Sequence, residues 1–138
     1  MTILSPSQIN EIFAYAKQAS PNECCGLIGG EEDGRAKSIY PLRNVAADKT
    51  VSYEAAPEDL FTAQRQMRER GESLLGIYHS HPRSDEPEPS RTDVRLAYYP
   101  QALYFIIGLA GAEPVMRAFR ISELEDRWEQ VEYGVAGE

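Results

Sequence analysis

The stretch Tyr78–Asp93, YHSHPRSDEPEPSRTD, contains the only two histidines of the chain. His79 and His81 follow LLGIY, a short apolar run that reads as a strand. Side chains alternate along a strand, so Ile77, His79 and His81 share one face. Two imidazoles about 6.6 Å apart along the backbone can then lean toward one ion. Pro82 ends the hydrogen-bonding ladder and leaves the pair at the strand's C-terminal end, where α/β folds collect their sites. A hydrolytic zinc centre takes three ligands from His, Cys and carboxylate and keeps one position for water. Asp93 is the candidate third ligand.

Other readings of the same residues stand beside this one. A His-x-His pair is also common as a structural or exposed feature. Ser90 and Asp93 form an S-x-x-D pattern ahead of VRLAYY, which on spacing alone reads as a capping box with Ser90 at N-cap and Asp93 at N3. A carboxylate fixed in a first helical turn is also well held to bind an ion, so the two roles are compatible. Asp85, Glu86 and Glu88 are rival ligands, but an acidic run broken by prolines reads better as a solvated loop. Cys24 and Cys25 are neighbours and would point to opposite faces of a strand, so at most one could face a metal. Small buried residues describe them better.

The elements that must hold these residues are legible. Ser5–Ser20 reads as a helix, with Ser5 as N-cap, Pro6 at the first helical position and Gln8 completing a capping box. Ile9, Ile12, Phe13 and Ala16 form its buried stripe, and Pro21 ends it. CCGLIGG is a buried strand, EEDG a hairpin turn into a strand over Ala36–Leu42, and TVSYEA a further extended piece. Pro57 opens a second helix to about Arg70, stopped by Gly71. Ser90–Tyr99 is a short helix closed by Pro100. ALYFIIGLA is a central strand, with PVMRAFRI and RWEQVEY toward the sheet edge. The sum is an α/β or α+β sandwich with a mixed sheet and about three helices, a single domain over residues 1–138. A net charge of −8 (14 cations against 22 acids) weighs against a nucleic-acid partner. No signal-like N-terminus, no span of about 20 apolar residues and no staple-forming cysteine pair points to a cytoplasmic protein with no membrane role.

His79-Ser-His81-Pro82 followed by Ser90-x-x-Asp93 resembles the JAMM (MPN+) zinc metallopeptidase motif, Glu, then His-x-His-Pro, then Ser-x-x-Asp. PNECCGLIGG supplies the upstream Glu as Glu23, and PLRNVAADKTVSYEAAPEDL resembles the matching region of the small prokaryotic members. The resemblance covers about residues 5–120. It departs from the family pattern in one place: eight residues, one more than usual, separate His81 from Ser90. An exposed proline-rich loop absorbs such a residue at little entropic cost.

The resemblance implies a cytidine-deaminase-like α-β-α sandwich and one zinc per chain on His79, His81 and Asp93, with water as fourth ligand. Glu23 would be the general base and acid, and Ser90 would donate to the oxyanion. The implied activity is hydrolysis after the C-terminal Gly-Gly of a ubiquitin-like or sulfur-carrier protein. Two rivals are a non-catalytic protein-binding module of the same fold and a zinc nucleoside deaminase. The deaminase needs a Cys-x-x-Cys, which this sequence lacks.

Overall fold

A computed structural model describes all residues, Met1–Glu138. The elements run β1 (Ile3–Leu4), α1 (Pro6–Ala19), β2 (Cys25–Gly30), β3 (Ala36–Leu42), α2 (Pro57–Glu69), β4 (Ser73–His81), α3 (Arg91–Arg95), β5 (Leu103–Gly108), β6 (Val115–Ser122), β7 (Arg127–Val131) and β8 (Gly134–Val135). Six strands form one sheet in the order β3-β2-β4-β5-β6-β7, in which β4 and β5 pair in parallel and every other neighbour is antiparallel. The short β1 and β8 pair separately. No helix is long and apolar enough to cross a membrane.

Strand alternation sorts the core into two layers. Leu103, Phe105 and Ile107 of β5 pack with Ile12 and Ala16 of α1, while Tyr104 and Ile106 face Ala63 and Met67 of α2 and Val94 of α3. The result is helix on both faces of a mixed sheet. Each helix starts as the sequence demands. The Ser5 hydroxyl accepts from the Gln8 amide, and the Gln8 side chain accepts from the Ser5 amide, closing the capping box of α1. Arg70 caps α2, and Gly71 follows at φ 68°, a left-handed turn that glycine enters without strain.

The site depends on the β2–β4 register, which sets Cys25 opposite His79 and Gly26 opposite Tyr78. Tyr78 is fully buried, and a Cβ at Gly26 would lie 2.2 Å from its ring. Gly26→Ala is therefore expected to destabilise the protein by about 1–3 kcal/mol or more through overpacking, read as a lower denaturant midpoint.

Two elements differ from the sequence reading. The helix expected over Ser90–Tyr99 stops at Arg95: the Ala97 and Tyr98 amides leave the helical ladder for the Val94 and Leu96 carbonyls, and the Tyr99 amide donates to the Tyr104 hydroxyl (3.1 Å). Pro100 also disfavours helical backbone at Tyr99. TVSYEA is not a strand. Asp48 binds the amide and hydroxyl of Thr50, and the Asp48 carbonyl accepts from Val51 and Ser52, so the chain turns there. Only Ala55 bridges, to Asn44.

Candidate metal centre

β4 carries His79 and His81 on the face shared with Ile77, and its end lies beside the end of the parallel β5. The two Nε2 atoms are 3.1 Å apart, and each lies 3.1 Å from Asp93 Oδ2. Three donor atoms thus form a triangle with equal sides. A tetrahedral ion with nitrogen and oxygen ligands at about 2.0–2.2 Å spaces its donors about 3.3–3.6 Å apart, so the set fits such an ion closely. His79 is fully buried, and the Asp93 side chain is only 7% exposed. Three such groups crowded together away from water suit a bound cation.

The capping box at Ser90 is formed as well. The Ser90 hydroxyl accepts from the Asp93 amide (3.0 Å), and Asp93 Oδ2 accepts from the Ser90 amide (2.9 Å). One carboxylate oxygen therefore serves the helix start and the imidazole pair together. The loop that returns the chain to this point is anchored. Ser84 accepts from the Ala110 amide, and Pro87 is buried against Gly108, while Asp85, Glu86 and Glu88 are exposed. The solvated spacer expected from sequence thus has one apolar foot, Pro87.

Glu23 lies in the link between α1 and β2, is 5% exposed, and has an Oε1 with no hydrogen-bond partner. Its carboxylate lies within 4.8 Å of the donor atoms of both histidines. The structure therefore offers two overlapping ligand sets, His79 and His81 with either Asp93 or Glu23. The equal 3.1 Å contacts favour Asp93. An orphaned carboxylate set beside the triangle is placed to meet what the triangle binds. Glu23, His81 and Ser90 line one cleft of about 310 Å³, with Val51 and Arg83 on its walls. The Ser90 hydroxyl accepts from Asp93 and can still donate its own hydrogen.

Electrostatics follow from burial. Desolvation pushes the Glu23 carboxyl up to about 7, with His81 opposing the rise and Asp93 adding to it. Burial acts against charge on Asp93 too, but the imidazoles and the Ser90 amide outweigh it and hold that carboxyl far below its ordinary range. Burial likewise opposes the His81 imidazolium, yet the hydrogen bond and charge of Asp93, with Glu23, raise its pKa. Burial pushes Cys24 up to about 11 and Cys25 to about 12, so both are neutral thiols near pH 7 and poor nucleophiles.

Two residues to which the sequence reading gave no role belong to the site. The Tyr53 ring stacks on His79 at 4.5 Å between centroids, while His79 Nδ1 has no partner. The imidazole is thus oriented by packing where a hydrogen bond is the usual device. Asn44 binds the Glu23 carbonyl (2.9 Å). The signal for Tyr53 was an aromatic residue stranded in a polar turn.

Helix on both faces of a mixed sheet, with imidazoles and carboxylates converging at a strand end, is the build of a JAB/MPN-type domain. Residues 5–122 match the family of prokaryotic homologs of the JAB domain. Desampylase of Haloferax volcanii is 36% identical over 102 residues, 70% of this chain and 73% of that protein. CysO-cysteine peptidase of Mycobacterium tuberculosis is 32% identical over 76% of this chain and 71% of its own length. A probable TtuB-protein conjugate cleaving protease of Thermus thermophilus is 33% identical over 83% and 72%. A solution structure from Desulfitobacterium hafniense superposes with a TM-score of 0.86 at 37% identity, covering 100% of this chain and 94% of that one. A JAB1/MPN domain protein from Archaeoglobus fulgidus shares the fold at a TM-score of 0.66 and 22% identity, over 99% of this chain and 100% of the other. The chain belongs to the prokaryotic JAB family and is a JAMM-type hydrolase, with relatives named as a desampylase and a CysO-cysteine peptidase.

Proposed function

We propose that this chain is a zinc-dependent peptidase or isopeptidase that hydrolyses the amide bond after the C-terminal Gly-Gly of a ubiquitin-like or sulfur-carrier protein. The observation that carries this is the triangle of His79 Nε2, His81 Nε2 and Asp93 Oδ2 at 3.1 Å, with the unpartnered Glu23 carboxylate beside it. His79, His81 and Asp93 would hold the metal. Zinc, when bound there, supplies a Lewis acid that makes hydroxide available near neutral pH.

The protein's own groups account for the rest. Glu23, raised toward 7 by burial, accepts a proton from the attacking water and returns it to the leaving amine. Ser90 donates to the carbonyl oxygen as negative charge grows on it, held in place by its own role as N-cap. Tyr53 and Asp93 keep the imidazoles aligned. Relatives named for cleaving CysO-cysteine and TtuB–protein conjugates support a carrier-protein adduct as substrate. The complete donor set weighs against a non-catalytic module, and the lack of a Cys-x-x-Cys against a deaminase.

The test is reconstitution. Protein stripped by chelation should be inactive, then take up one zinc per chain and regain cleavage of a carrier extended beyond Gly-Gly. A stripped protein that binds no zinc when supplied with it would overturn the proposal.

A further inference from the structure

Asn44 lies just past β3, and its carboxamide is fully used. Nδ2 donates to the carbonyls of Glu23 (2.9 Å) and Ser52 (3.1 Å), and Oδ1 accepts from the amides of Ala46 and Glu54, both at 3.0 Å. An asparagine has two donor hydrogens and two acceptor lone pairs. All four are engaged, and only one orientation of the amide serves them, since both nitrogen partners are carbonyls and both oxygen partners are N–H groups.

Three of these partners lie in residues 46–54, so the side chain closes that loop on itself. The fourth is the backbone of Glu23. The loop gives Glu23 a second hold, for the Glu23 amide donates to the Lys49 carbonyl at 2.7 Å. The same loop presses Tyr53 onto His79 and sets Thr50 and Val51 on the wall of the cleft that Glu23 lines. Glu23 belongs to no helix or strand. Its own amide and carbonyl are both taken by this loop and its clamp.

We infer that Asn44 is a positioning residue, fixing the backbone of Glu23 and the wall opposite the metal site. This rests on the reading of Glu23 as the proton-transferring group. The metal donors come from β4 and α3, neither of which Asn44 bonds, so its loss should separate turnover from metal binding.

Asn44→Asp is the decisive variant, because it keeps the shape and both acceptor contacts but sets an oxygen against two carbonyls. Asn44→Ser is the second variant should the first fail to fold. Both are compared with wild type in the zinc-loaded state. Expected are one zinc per chain, a kcat lower by about 10–100-fold with KM within about threefold, and faster hydrogen exchange of the Glu23 amide. Faster tryptic nicking after Lys49 is expected to accompany them. A wild-type kcat in the variant overturns the inference, and so does loss of zinc, which would place the effect on the ligands. Inactive wild type overturns the peptidase reading alone. In that case faster exchange at the Glu23 amide of the variant supports the clamp, and unchanged exchange overturns it.

Discussion

Glu23→Gln is expected to bind zinc as wild type does and to lose turnover by roughly 10²–10⁴-fold, the usual contribution of general acid–base catalysis. Glutamine has the same shape, so the 5% exposed position is filled equally well. What it cannot do is take a proton. The variant also tests a cost visible in the metal-free protein. Burial raises Glu23 from 4.5 to about 7. A carboxyl whose folded-state pKa is raised holds its proton more tightly in the native state, so its contribution is greatest at low pH. That contribution fades as pH rises from the unfolded value through the folded one, here between about pH 4.5 and 7. Chelated Glu23→Gln should therefore melt higher than chelated wild type at pH 8 and about the same at pH 4. A melting gain at pH 8 together with lost turnover would be a stability–function trade-off at one position. Unchanged turnover in the variant would remove Glu23 from the mechanism.

What could be read in advance was what is local. The capping box at Ser5 and Gln8, the stripe Ile9-Ile12-Phe13-Ala16 and the buried run LYFIIG need only nearest neighbours along the chain, and each appears in the structure. Period-two alternation likewise gave the shared face of His79 and His81. The misses come from contacts that periodicity and composition do not weigh. After Ser90 the Ala97 and Tyr98 amides leave the helical ladder, and Tyr99 turns instead to a hydroxyl on β5. TVSYEA has the composition of a strand, yet Asp48, two residues before Thr50, sets a local turn that outweighs that composition, and His79, far along the chain, gives Tyr53 its partner. Pro87 looked like part of a solvated run because what buries it lies beside Gly108. Glu23 is the sharpest case. A charged residue ahead of a strand has no periodic reason to be buried, and motif resemblance alone singled it out.

Replacing Asp93 separates the two tasks of one oxygen. Asp93 Oδ2 touches both imidazoles and accepts the Ser90 amide, so Asp93→Ala removes the proposed metal donor and half of the capping box. Asp93→Asn keeps an acceptor for Ser90 but loses the charge. Both variants should lose zinc affinity by more than the roughly 10–100-fold that a supporting group is worth, and turnover with it. Both variants keep the Ser90 hydroxyl on the amide of residue 93, but only alanine loses the side-chain acceptor for the Ser90 amide. Metal-free Asp93→Ala should therefore be less stable than metal-free Asp93→Asn by about 0.5–1.5 kcal/mol, the net worth of one hydrogen bond. Both should also lack a pH dependence present in wild type. A carboxyl held far below its ordinary range stabilises the fold above its unfolded pKa, and that stability is lost as pH falls through the folded value. The comparison also decides between the two overlapping ligand sets. If Asp93→Asn keeps wild-type zinc affinity while Glu23→Gln loses it, the third ligand is Glu23, which also lies within 4.8 Å of the imidazole donors. The roles of the two carboxylates would then exchange. The equal 3.1 Å contacts of Asp93 predict the opposite result.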